Sequence, residues 1–140
     1  MSIGTALRLV FTLFLTVSSA SAQSNKEHAA LDSLQKEAST CSAYYTIVQE
    51  CSHDAGASKI VYEQSKLIVK KAIDVSRMVG LGIKMSEEVM TARWKASMDE
   101  QMALMNGNCT NISSLESRHA ARCKKLIENP ASVLGEYTKK

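Results

Sequence analysis

Proline, glycine and aromatic residues are scarce in this chain of 140 residues, which contains one proline, six glycines, one tryptophan, two phenylalanines and four tyrosines. Because proline and glycine are the main residues that interrupt regular structure, their scarcity favours long helices with few breaks. No segment alternates between apolar and polar residues in the way that a half-buried strand requires. The sequence therefore predicts an all-α protein without interdomain linkers.

Recognisable catalytic and nucleotide-binding motifs are also lacking. The chain contains no GxSxG, HExxH, Walker or dinucleotide-binding pattern, and its acidic pairs are adjacent residues that point in different directions on a helix. Basic and acidic residues are interspersed and number 17 and 14, so the strong basic face expected of a nucleic-acid-binding protein is missing. We predict no enzyme activity, no bound cofactor and no nucleic-acid partner.

The first 22 residues have the pattern of a cleavable secretory signal peptide. A short start ends at Arg8, an uncharged stretch begins at Leu9, and Ala20 and Ala22 stand at the positions expected before a signal peptidase site. The uncharged run ends at Ala22 and is shorter than the ~20 residues of a membrane-spanning helix. The pattern predicts secretion or bacterial periplasmic export, a single helical domain over residues 23–140, and no membrane span after cleavage.

Apolar periodicity and helix-stop residues divide that domain into helices. On helix one, an apolar stripe recurs at alternating spacings of three and four residues, as expected for one buried face. Gly56, Gly80-Leu81-Gly82 and Asn106-Gly107 are predicted stops. The predicted helices cover about Lys26–His53, Ser58–Val79, Ser86–Met105 and Ser113–Asn129, with a short fifth helix permitted from Pro130 towards Tyr137. Short loops between amphipathic helices predict an antiparallel four-helix bundle.

The start of helix four carries a possible capping box, since Ser113 is followed three residues later by Glu116. Ser86 is a second predicted cap, with Glu87 and Glu88 in the first helical turn, where the helix dipole favours acidic residues. These residues predict where helices three and four begin.

Four cysteines in an exported chain predict two disulfides rather than a metal or redox site, because no CxxC pair occurs. On a continuous helix, Cys41 and Cys51 lie about 15 Å apart, which is too far for a bridge. In an antiparallel bundle the first and fourth helices are neighbours, and this arrangement pairs Cys41 with Cys123 and Cys51 with Cys109. The outer bridge is predicted to stabilise the fold by roughly 4 kcal/mol and the inner bridge by less.

The third helix is rich in methionine, and Met98, Met102 and Met105 share one of its sides. Thioethers can bind Cu(I), but methionine is also a common filler of helical cores, which is the favoured interpretation. His119 could likewise act as a ligand to a haem iron, although no haem-attachment motif is present. A soft-metal or haem carrier is therefore the alternative function.

Tyr44 and Trp94 are the candidate interaction residues, because aromatic side chains are favoured at binding hot spots. Successive helical positions cannot share one buried face, so one residue of the Tyr44-Tyr45 pair is expected at an edge, and Tyr44 is predicted to be the more exposed. The leading functional hypothesis is a small exported protein that binds a partner, with a small exported hydrolase as the third hypothesis.

Overall fold

The computed structural model describes the backbone of residues 3–139 and the side chains of residues 24–139. Within this range the chain is helical and contains no strand, so the all-α prediction is confirmed. A single 3-10 turn, Cys109–Asn111, precedes the fourth helix. The α-helices are α1 (Ile3–Asp54), α2 (Lys59–Gly82), α3 (Glu87–Leu104), α4 (Ser113–Glu128) and α5 (Pro130–Thr138).

Helix α1 begins at Ile3, well before the expected start near Lys26. Its length has a local cause, because neither glycine nor proline occurs between Thr5 and Ala55. The side chains of the predicted signal peptide, residues 1–22, lie outside the described residues, so this assignment stays a prediction. Among the residues that are described, no helix combines the length and apolar character needed to cross a membrane.

Helix α1 occupies the centre of the bundle and contacts each of the other helices. Helix α2 runs antiparallel to α1. The two helices are joined by a hydrogen bond between Ser39 Oγ of α1 and Ser76 Oγ of α2, which lie 3.0 Å apart. Helix α3 runs parallel to α1, since Arg93 bonds Asp32 near one end and Gln101 bonds Thr40 further along. The alternating directions of the first four helices agree with the predicted bundle.

Both predicted disulfides are formed and fasten α4 antiparallel to α1. Cys41 pairs with Cys123 at a Cα–Cα distance of 5.2 Å, and Cys51 pairs with Cys109 at 5.3 Å. The Cys41 and Cys123 side chains are fully buried, whereas Cys109 is only partly buried. The distance argument from the sequence is therefore confirmed, and the two bridges differ in their surroundings.

Helix α2 ends at Gly82, within the predicted stop Gly80-Leu81-Gly82 but beyond the expected last residue Val79, so Gly80 is not itself a stop. Gly80 is instead a packing residue: a Cβ added there would lie 2.2 Å from Met90 Sδ. The chain leaves the helix through Lys84, which adopts a positive φ of 58°. Ser86 then caps α3 by accepting a hydrogen bond from the Val89 amide, as predicted.

The predicted capping box at Ser113 is not formed. Ile112 occupies the cap position of α4 and makes no side-chain cap bond. The preceding 3-10 turn leads directly into α4, so Ser113 is already helical and Asn108 caps the turn instead. The predicted fifth helix is present, with Asn129 accepting a hydrogen bond from the Ser132 amide.

Burial extends around more of α1 than the predicted apolar stripe. Leu34, Ala38 and Cys41 belong to the core, as the stripe implied. A second set of small and polar side chains is equally buried because α2 and α3 cover the other side of the helix. This set comprises Gln35, Ser39, Ser42 and Ala43.

An ionic cluster holds α5 against α1 and α4. The Arg122 guanidinium bonds Glu37 of α1 and Glu136 of α5, and Lys125 also bonds Glu136. Tyr137 donates its hydroxyl hydrogen to Glu37. Hydrogen bonds from Lys125 and then Arg122 lower the pKa of Glu136 from 4.5 to about 2.

The contribution of Glu136 should therefore disappear in acid. Its pKa is lower in the folded chain, so its contribution is fully present above about pH 4.5 and is lost as the pH falls towards about 2. Urea unfolding across this range measures the loss, with Glu136→Gln as the matched variant. The variant should lose less stability in acid than the parent, and equal losses would show that the cluster does not support the fold.

Candidate functional site

A groove of about 390 Å³ lies between α2 and α3, above the central helix. The two helices touch at few positions, so their side chains do not close over α1. Apolar groups dominate its walls, while hydroxyl groups from Ser42, Ser76 and Thr91 are also present. The lining residues are Ser42, Ile73, Ser76, Arg77, Glu87, Met90, Thr91 and Trp94.

A hydrogen-bonded ladder supports the groove from below and joins three helices. Gln35 Nε2 donates to Ser39 Oγ at 3.0 Å and to Ser76 Oγ at 3.3 Å. Arg93 donates to Gln35 Oε1 at 2.9 Å and to Asp32 Oδ1 at 2.8 Å. Gln35 and Ser39 are fully buried, so the ladder fixes how α2 and α3 sit on α1.

Trp94 lies in the groove wall and is partly buried. Its indole nitrogen, Nε1, is buried and has no hydrogen-bond partner among the described residues. Buried donors are normally paired, because leaving one unpaired costs about 1–3 kcal/mol. The predicted interaction residue Trp94 therefore lies in the groove wall with its one side-chain donor unpaired.

An ion pair crosses the groove at its rim. Arg77 of α2 bonds Glu87 of α3, with an Arg77 Nε to Glu87 Oε1 distance of 2.8 Å. Both side chains are more than half exposed, so the pair stabilises the fold little and can exchange partners. The groove therefore combines apolar walls, one unpaired donor and two opposite charges at its edge.

The prediction that Tyr44 is the exposed tyrosine is wrong. Tyr44 is only 4% exposed, and its ring packs against Tyr45 and His119 at centroid distances of 4.9 and 5.8 Å. Burial, followed by the charge of Glu116, raises the pKa of Tyr44 to about 12. Helix α4 covers this side of α1, which makes Tyr44 a core residue rather than an interaction residue.

The three methionines proposed as soft-metal ligands occupy different environments. Met105 is fully buried in the core, Met98 packs against the core from its edge, and Met102 is 38% exposed. Met105 and, in part, Met98 therefore fill the core, whereas the exposed Met102 does not. Within the described part of the chain, no group of three histidine, cysteine or acidic side chains converges on a common point.

His119, the candidate haem ligand, packs against Tyr44 and lines neither of the two cavities described here. Burial, with a further effect from Arg118, lowers the pKa of His119, and Glu100 opposes this shift. Burial thus favours the neutral form of a ring that lies beside an aromatic neighbour, which is the environment of a packing residue.

A second cavity of about 420 Å³ lies beside the inner disulfide at the end of α1. Its walls include Cys51, Cys109, Ile112 and Glu116. In contrast to the α2/α3 groove, none of its described lining residues has a buried polar side-chain atom without a partner. The groove is therefore the better candidate site.

The polar ladder under the groove was missed at the level of sequence. Its α1 residues do follow a helical pattern, because Gln35, Ser39 and Ser42 recur at spacings of four and three. Apolar periodicity predicts a core only from apolar residues, so it does not reveal a buried row of small polar residues. Gly80, which lets Met90 approach α2 closely, was likewise interpreted as a helix stop.

Comparisons of the chain with protein-family models, with curated proteins and with solved structures give no match. The groove and the sequence features described above are therefore the basis for a function.

Proposed function

We propose that this protein is exported and binds another exported protein, with the groove between α2 and α3 receiving an apolar side chain of that partner. The observation that carries the proposal is the buried, unpaired indole N–H of Trp94 in the wall of an otherwise apolar groove. Rotation of the indole towards the groove would expose this N–H, and a backbone carbonyl of the partner beside the inserted side chain would accept its hydrogen bond. Secretion or periplasmic export is part of the same proposal, and the predicted signal peptide and the two disulfides support it.

The size and lining of the groove favour binding over a purely structural gap. Its volume falls within the range of ~300–1,000 Å³ that is common for ligand sites, and such sites combine apolar walls with a few placed polar groups. Ile73 remains 43% exposed in the wall, so an apolar group could remove it from water.

A protein partner fits the rim better than a small apolar molecule does. Arg77 and Glu87 are exposed charges of opposite sign beside the apolar walls, an arrangement like the polar rim around an interface core. Tryptophan is also among the residues that most often dominate binding energies between proteins. A peptide segment supplies both the apolar side chain and the carbonyl acceptor.

The test uses protein recovered after export from a host that expresses the full chain, and a displayed library of short linear peptides as the probe. Trp94 is the only tryptophan, so its fluorescence reports directly on the groove. Selected peptides should shift Trp94 emission. Ile73→Asp should weaken their binding at least about tenfold, since it places a charge in the apolar wall.

Leu67→Asp is the matched control, because it makes the same substitution at an exposed apolar residue elsewhere on α2, outside the groove lining. It should leave peptide binding unchanged. Trp94→Phe retains an aromatic ring but removes both the N–H and the fluorophore, so its binding is measured by calorimetry; it should weaken binding without unfolding the domain. If no peptide shifts the emission, or if Leu67→Asp weakens binding as much as Ile73→Asp, the groove is not the site.

A further inference from the structure

Helix α2 carries a second exposed apolar surface, directed away from the groove. Ile60 is 71% exposed, Leu67 62%, Met78 62% and Leu81 55%. Four large apolar side chains with this exposure on one helix are unusual for a surface that faces only water. Because Ile73 and Arg77 line the groove on another side of the helix, this surface is separate from the candidate binding site.

These residues belong to a seam with the spacing of a coiled coil. Starting at Ile60, every position of the seam follows the last by four or three residues, which is the repeat that brings two helices together. The seam spans about 31 Å along the helix. We call it the α2 seam; its positions are Ile60, Gln64, Leu67, Lys71, Asp74, Met78 and Leu81.

The charges at the centre of the α2 seam make it complementary to itself. A two-fold axis between Lys71 and Asp74 would place Lys71 of each copy opposite Asp74 of the other copy. Two such pairs would therefore form. The same axis places Leu67 opposite Met78. It also places Gln64 opposite Leu81. A surface that pairs its own charges and, at Leu67 and Met78, its own apolar residues in one register has the property required of a symmetric dimer interface.

We propose that two copies of this protein associate through antiparallel packing of their α2 seams. The central charged pair would fix the register, and the apolar residues on both sides would supply the buried surface. A single helix offers a narrower contact than the ~800 Å² per partner of stable complexes, so the dimer should depend on concentration.

A lipid surface is the competing partner for an exposed apolar helix with basic residues. The position of Asp74 argues against it, because this acidic group would have to leave water in the middle of the seam with only Lys70 of the same helix beside it. In the two-fold arrangement the same carboxylate faces Lys71 of the second copy. The self-complementary charge pattern therefore favours a second copy over a membrane.

Sedimentation equilibrium of the exported protein over a range of concentrations tests the proposal. The average mass of the parent should rise from one copy towards two. The Leu67→Asp variant should remain monomeric, whereas the Ile73→Asp variant, changed in the groove, should associate like the parent. Both residues are exposed, and thermal unfolding followed by circular dichroism checks that each variant is folded.

Charge reversal tests the register. Lys71→Glu alone and Asp74→Lys alone should each weaken association by about tenfold, because two attractive pairs become repulsive. The double variant should recover most of the affinity of the parent. A parent that stays at one copy at every concentration, a double variant as weak as the single ones, or binding to anionic vesicles without self-association would overturn the proposal. Each of these results leaves the peptide test of the groove unaffected.

Discussion

Replacing Cys41 and Cys123 together by alanine should destabilise the fold by about 4 kcal/mol and should have a larger effect than the same change at Cys51 and Cys109. With both bridges present, the ten positions between Cys41 and Cys51 and the fourteen between Cys109 and Cys123 form one closed ring. Removing either bridge opens this ring. On the chain-entropy model, a ring of roughly 24 positions contributes about 3.5 kcal/mol.

Chain entropy alone therefore gives the two bridges nearly equal contributions, contrary to the expectation that the inner one adds less. Their surroundings make the difference. Cys41 and Cys123 are each 1% exposed within the core, so their replacement leaves a cavity that adds on the order of 1 kcal/mol. Cys109 is only partly buried, so its loss leaves less empty space.

Urea unfolding of the parent and of the two double alanine variants measures these differences directly. Removing all four cysteines should cost about 8 kcal/mol, comparable to the whole free energy of unfolding of a small domain, so this variant should not fold. A greater loss for the Cys51 and Cys109 variant than for the Cys41 and Cys123 variant would contradict the argument from burial.

Helix directions and the distances along helices were predictable from the sequence, and together they determine most of the fold. The spacing of Cys41 and Cys51 on one helix excluded a bridge between them, and the antiparallel topology then gave the correct pairing. Ser86 was identified as a cap because its local pattern alone determines that role. Such features depend on neighbours in sequence or on the rise of a helix, which are known before the fold is known.

Burial on particular sides of a helix was less predictable, because it depends on which helix covers which side. Tyr44 and Tyr45 differ by one position, and only the placement of α4 buries the first more than the second. Leu67 has the residue type of a core position but lies on a side of α2 that none of the described side chains covers well, since it is 62% exposed. The groove was outside the reach of sequence reasoning for the same reason, although Trp94, which lies in its wall, was among the candidate interaction residues.

Replacing Gln35 by methionine should destabilise the fold by about 2–4 kcal/mol, although the two side chains are similar in size. Gln35 is fully buried and donates to Ser39 and Ser76 while accepting from Arg93. The apolar substitute leaves one Arg93 hydrogen bond unmade and deprives both hydroxyls of a donor, and unpaired buried groups of this kind cost about 1–3 kcal/mol each. The remaining bond between Ser39 and Ser76 limits the loss.

Gln49 supplies the matched control, since it is also buried on α1 but makes no side-chain hydrogen bond with another described residue. Gln49→Met should change the free energy of unfolding by less than about 1 kcal/mol. Because the ladder holds α2 and α3 on α1, Gln35→Met should also alter Trp94 fluorescence in the folded state, while Gln49→Met should not. Equal stability losses for the two variants would mean that side-chain volume, rather than the hydrogen-bonded ladder, determines how the groove is built.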